Sequence, residues 1–238
     1  ITTQSDSGGI TVSTLLQIGK GGDSQNTILA AGNRTWTLSG TTGTPFDIIG
    51  SSSLTASTST FSYAGDNGGG DTTVQTATYN NLIFDASETF NPEGAIIVNK
   101  DLTITTGTLA MGANNLTVGS TGVTDSGNIS VASSQSLTQS ASGTTTIKTS
   151  AAGSATVGGA GTLTFYNLTI APDVNGATIY LGSAGGQTIT VSNTMTIGNG
   201  TNTVTANADT NDPSLDVNGN FSITTNGTFQ ASGTGSFE

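Results

Sequence analysis

The chain has no cysteine and no histidine, and among its 238 residues there are only one tryptophan, four prolines and four basic side chains. Without His and Cys, the Ser-His-Asp and Cys-His catalytic arrangements, ordinary zinc sites and most redox centres are excluded. Disulfides are excluded with them, so stability must come from packing and backbone pairing. Four Lys and Arg stand against fifteen Asp and Glu, a formal net charge of −11, which opposes binding to nucleic acid or anionic lipid. No apolar run approaches the roughly 18 to 20 residues that span a bilayer, and no basic-then-apolar segment heads the chain, so membrane insertion is not expected. The sequence opens on Ile1 rather than Met, which suits a processed or excised piece of an exported protein.

What is present is Thr and Ser, about a third of the chain, with 34 Gly. Hydrophobic residues make up 33% and recur in short clusters throughout, where a disordered segment would lack them. The core is therefore expected to be thin and drawn out along an elongated molecule. The acidic, Thr/Ser/Gly/Asn-rich texture points to an extracellular or cell-surface location.

Helical spacing of Ala, Leu, Glu and Lys is absent, while Thr, Val and Ile dominate the apolar clusters. Leu102-Thr103-Ile104, Leu116-Thr117-Val118, Leu163-Thr164-Phe165 and Ile179-Tyr180-Leu181 alternate with the period of half-buried strands. Asn-Gly pairs at Asn67, Asn175, Asn199, Asn218 and Asn226 mark turns too closely spaced for crossover helices.

Internal repetition sharpens the class. Val98 to Thr106 aligns with Val217 to Thr225, and Val191 to Ile197 supplies a third copy; each reads Val, three polar or small residues, an apolar residue, Thr or Ser, then Ile. Tyr79 to Phe84 similarly aligns with Tyr166 to Ile170. The interval 217 − 191 = 26 is that of one solenoid coil. The expected fold is an all-β parallel β-helix of about ten degenerate coils, with Val98, Val191 and Val217 and their following Ile104, Ile197 and Ile223 pointing inward. Residues 1–57 are expected to form an N-terminal capping or docking segment continuous with it, and residues 58–238 the repeat-built solenoid. An antiparallel β-sandwich is the alternative, since short strands and Asn-Gly turns also suit hairpins.

The run Gly161-Thr162-Leu163-Thr164-Phe165-Tyr166-Asn167-Leu168-Thr169-Ile170, with Leu102 to Leu109, resembles the degenerate strand repeats of large bacterial secreted and surface proteins of adhesin or autotransporter-passenger type. The resemblance covers roughly residues 58 to 238. It implies a right-handed β-helical stalk and a structural or adhesive role.

Chemistry is sparse. Asp85 with Glu88, and the group Asp209, Asp212 and Asp216, are the carboxylates that a glycosidase on such a fold would need. Neither comes with the aromatic and basic residues that line a sugar cleft, and solvated turns are the plainer reading. Tyr63, Tyr79, Tyr166 and Tyr180 are the candidates for carbohydrate contact, and surface glycans the corresponding partners. Asp209, Asn211, Asp212 and Asp216 concentrate oxygen ligands suited to calcium, and Asp66 to Asp71 does so less fully. Calcium is the only cofactor considered, and no catalytic residue is assigned. Gly158-Gly159 and Gly185-Gly186 read as turns. Seven Asn-x-Ser/Thr sequons are near chance in so Thr-rich a chain. Thr-x-Thr pairs at Thr103, Thr188, Thr194 and Thr203 evoke an ice-binding solenoid, against which stands their irregular spacing. The expected role is a non-enzymatic structural one: a stalk segment of an adhesin, or a subunit stacking head to tail with copies of itself into a filament or sheath.

Overall fold

The computed structural model describes residues 8–22, 26–120, 122–123, 126–150, 153–183, 186–231 and 233–238; Ile1 and Gly185, named above, lie outside them. The first two turns run β1 (Ile10–Val12), β2 (Leu16–Ile18), β3 (Ile28–Ala30), then β4 (Thr35–Leu38), β5 (Phe46–Ile48), β6 (Ser53–Thr55). The next three use β7 (Thr60–Tyr63), β8 (Asp71–Val74), β9 (Thr78–Tyr79), β10 (Asn81–Pro92), β11 (Ile96–Val98), β12 (Asp101–Ala110) and β13 (Leu116–Val118). Then follow β14 (Asn128–Val131), β15 (Ser136–Thr138), β16 (Thr144–Ile147), β17 (Ser154–Gly159), β18 (Thr162–Ile170), β19 (Ala177–Leu181) and β20 (Thr188–Ile197). The chain closes with β21 (Val204–Asn207), β22 (Ser214–Val217), β23 (Asn220–Ile223) and β24 (Gly227–Gln230). Among the described residues there is no helix, and so none able to cross a membrane.

Every strand pairing is parallel, each strand stacking on its counterpart one turn later, so the fold is a β-solenoid and not an antiparallel sandwich. The Asn-Gly turns change direction at corners and close no hairpins. Each turn has three faces. The first carries β1, β4, β7, the start of β10 and of β12, β14, β17, β19, β21 and β24. The second runs from β8 through the later parts of β10 and β12 to β15, β18, β20 and β22. The third runs from β9 through β11, β13 and β16 to the later parts of β18 and β20 and to β23.

The regular part has about eight turns, slightly fewer than the ten expected. The first two turns pair their second and third faces separately, as β2 with β5 and β3 with β6, and join the main sheet through β1 and β4. Residues 10–55, in the stretch assigned to an N-terminal segment, thus make up these two turns.

Inward residues form columns with one member per turn. On the second face Phe90, Leu109, Leu137, Leu163, Ile189 and Leu215 stack in register and are buried. On the third, Tyr79, Val98, Val118, Ile147, Ile170 and Ile197 do the same. The early turns widen the core with rings: Trp36 stacks on Phe61 at 5.9 Å and donates its indole N–H to the Ala31 carbonyl, and Phe84 meets Phe90 at 4.6 Å.

The repeat copies are strand-corner-strand units used at different corners. Val191 pairs with Val217 and Ile197 with Ile223, as the 26-residue interval requires. Val98, however, lies on the third face and Ile104 on the first, because each corner poses the same local problem and the same pattern solves it. Tyr79 and Tyr166 are likewise out of phase: Tyr79 is buried in the third-face column, whereas half-buried Tyr166 sits at the corner inside β18. Ile223, in the last third-face strand, is 46% exposed.

A buried polar ring braces the third turn. Tyr79 Oη donates to the Gln75 carbonyl at 2.7 Å, the two tyrosine hydroxyls meet at 3.1 Å, and the Gln75 N–H donates to Tyr63 Oη at 3.2 Å. Burial raises both phenols well above their ordinary value. Because the folded state keeps both neutral while the unfolded state ionises near pH 10, their contribution is intact below about pH 9 and declines as pH climbs beyond about 10. Denaturant titrations should show that alkaline decline, and a Tyr63→Phe/Tyr79→Phe variant should show a shallower one. Truncating Leu163, which sits between Leu137 and Ile189 and is fully buried, should cost about 2 to 5 kcal/mol as Leu163→Ala in urea unfolding.

Candidate functional site

The carboxylate candidates are dispersed. Asp85 is exposed on β10 and accepts from Thr106 Oγ1 at 3.5 Å, while Glu88, three residues on, is turned inward and only 4% exposed. The two do not flank one cleft. Asp212 accepts the amides of Gly233 and Thr234 at 2.8 and 3.1 Å, Asn211 donates its side-chain amide to the Gly182 carbonyl, and Asp216 faces outward beside Thr190. Among the described residues no three His, Cys, Asp or Glu side chains gather as a metal group. Of the tyrosines, Tyr63 and Tyr79 are inside the core and Tyr166 and Tyr180 are half-buried.

Glu88 does find a partner from the preceding turn. Its Oε1 accepts the Asn67 N–H at 2.6 Å and the Gly69 N–H at 3.4 Å, while its Oε2 is buried with no hydrogen-bond partner. The Gly68 amide donates to Asp66 Oδ1 at 2.8 Å, and that bond, followed by a side-chain hydrogen bond with the Glu88 carboxyl, holds Asp66 below the usual carboxylate range. Asn67 closes the loop by accepting the Gly70 amide and donating to the Asp71 carbonyl. Sequence reading placed Glu88 with Asp85 and left Asp66 in a separate turn. The available signal was the interval, 88 − 66 = 22, close to the local turn length of 21 from Phe61 to Leu82.

The second surface of interest is a set of hydroxyl ladders. The Thr-x-Thr pairs at Thr103, Thr188, Thr194 and Thr203 are spread over all three faces. The second face nevertheless carries an ordered set: Ser136 and Thr138, Thr162 and Thr164, Thr188 and Thr190, Ser214 and Asp216 lie in register on successive strands, 26 residues apart each time. On the third face Thr117, Thr146, Thr169, Thr196 and Ser222 also align, although their sequence intervals vary. Irregular spacing along the chain is thus no bar to alignment, because corner loops absorb the difference and backbone pairing sets the position.

Several sequon asparagines serve the scaffold. Asn115 and Asn128 accept backbone amides of the next turn, and Asn199 donates to the Pro172 carbonyl. Gly158 and Gly159 belong to β17 rather than to a turn. No family model, no curated protein and no solved structure matches this chain.

Proposed function

We propose that the chain is an extracellular structural element, a β-helical stalk segment of adhesin type or a subunit that stacks end to end with its own copies. The observation that carries this reading is the state of the solenoid's outer turns. Phe221, Phe229 and Phe237 cluster at ring separations of 4.9 to 5.6 Å in the last turn, with Phe237 48% and Ile223 46% exposed. At the other extremity Ile28 is 63% and Leu15 43% exposed. Such surfaces, at the terminal strands of the stack, are seats for another turn, whether the same polypeptide or another copy supplies it. Negative-stain microscopy and light scattering should find rods that lengthen with concentration, and Phe237→Asp with Ile223→Asp should return them to single units. A purified chain that stays a single short rod at high concentration would remove the self-stacking form of the proposal.

The second-face ladder favours one further reading, a surface for an ordered water lattice. Hydroxyls about 4.8 Å apart between turns and roughly 6.6 Å apart along each strand form a two-dimensional array. No charged residue interrupts it from Ser136 to Ser214. The alternative account is simply that Thr suits exposed strand positions. Thermal hysteresis and inhibited ice recrystallisation, both lost in Thr164→Tyr/Thr190→Tyr, would support the lattice reading; their absence from the unaltered protein would dispose of it.

A further inference from the structure

Glu88 is the one buried charged side chain among the described residues. It occupies an inward position in the alternation Leu82, Phe84, Ala86, Glu88, Phe90, and the polar groups found elsewhere in the columns, such as Thr72 and Thr145, are uncharged. A carboxylate in that place is costly unless its charge is compensated. Among the described residues no lysine or arginine is paired with it or with Asp66; Lys148 is paired instead with Asp173.

The surroundings are arranged for charge of the opposite sign. Two backbone amides occupy Glu88 Oε1 and another occupies Asp66 Oδ1, so both carboxyl groups are oriented by the Asp66–Asp71 loop. Glu88 Oε2 is left buried without a donor, and the Glu88 and Asp66 carboxyl groups are hydrogen-bonding neighbours.

The chain also makes room at this point. β10 carries two more residues than β12 between the pairs Asp85–Thr106 and Thr89–Thr108. Opposite them stands Gly107, with φ of +98° and a backbone so close that a Cβ would lie 2.7 Å from the Glu88 carbonyl oxygen. Such bulges re-aim a side chain.

We propose that Asp66 and Glu88 bind a calcium ion, with Glu88 Oε2 as the buried ligand, Asp66 as the outer one, and water or loop carbonyls completing the shell. An all-oxygen, carboxylate-containing donor set suits a hard cation, and calcium tolerates the irregular geometry of a loop better than magnesium does. Bound there, the ion would fasten the Asp66–Asp71 loop to the following turn.

Thermal melts and isothermal calorimetry of the whole chain, with calcium chloride against chelator, test the assignment. Saturating calcium should raise the melting temperature by roughly 2 to 4 °C, with less effect from magnesium. Glu88→Gln retains an oxygen for the two loop amides and removes the charge, so it should fold and lose the calcium response; Asp66→Asn should weaken it. Asp212→Asn should leave it unchanged. The proposal is overturned if calcium neither binds nor shifts the melt, as for a pair sharing a proton. It is equally overturned if Glu88→Gln responds like the unaltered protein, or if Asp212→Asn alone abolishes the response.

Discussion

Parallel backbone pairing between successive turns is the constraint on which the rest of this molecule depends. It fixes neighbouring strands about 4.8 Å apart and places each inward side chain on the equivalent side chain of the next turn. Leu137, Leu163, Ile189 and Leu215 are neighbours for that reason alone, though 26 residues separate each from the next. With one inward residue of each column per turn, the core can be thin and still continuous. A composition poor in hydrophobic and aromatic residues is then sufficient, because no turn buries its apolar residues alone.

The same pairing explains the outward surface. Whatever length a corner loop has, the strand that follows it returns to register, so polar side chains line up as strictly as apolar ones. Thr117 and Thr146 are 29 residues apart and Thr146 and Thr169 are 23, yet all three pair in one ladder. Variation is confined to corners, where Asn side chains bridge turns: Asn193 donates to Asn167, which donates in turn to the Gly143 carbonyl. Ladders of hydroxyls are therefore a consequence of the fold before they are a sign of any ligand, and only the evenly spaced second face, whose ladder is uncharged until Asp216, offers more than that.

How much of this was legible follows from which signals are local. Alternation in Leu102-Thr103-Ile104 or Leu163-Thr164-Phe165 reports a strand, and a 26-residue repeat reports a solenoid, because both are written in adjacent residues or in one interval. Phase is different. Val98 and Val191 carry the same pattern on different faces, since the motif encodes a corner and does not record which corner it is. The candidate site was hidden for a related reason. Asp66 and Glu88 meet only because one turn there takes about as many residues as separate them, and turn length depends on the lengths of loops that carry no pattern of their own.

Glu88 is where local and global logic part. The alternation of β10 demands an apolar residue, the register with β12 breaks around it, and Gly107 stands where a side chain would collide with its backbone. Three departures at one position are hard to reconcile with a core whose other buried polar side chains among the described residues are all uncharged. A loop holding three glycines could have been fixed by Asn67 and the Asp66 side chain alone, through the bonds they already make to Gly68 and Gly70. Adding a buried carboxylate brings a second negative charge against Asp66 and leaves an oxygen without a partner, which costs stability on both counts. That cost is removed if the two carboxyl groups share a cation, and in this reading the irregularity of β10 is the means by which an otherwise uniform scaffold makes one turn's attachment to the next depend on calcium.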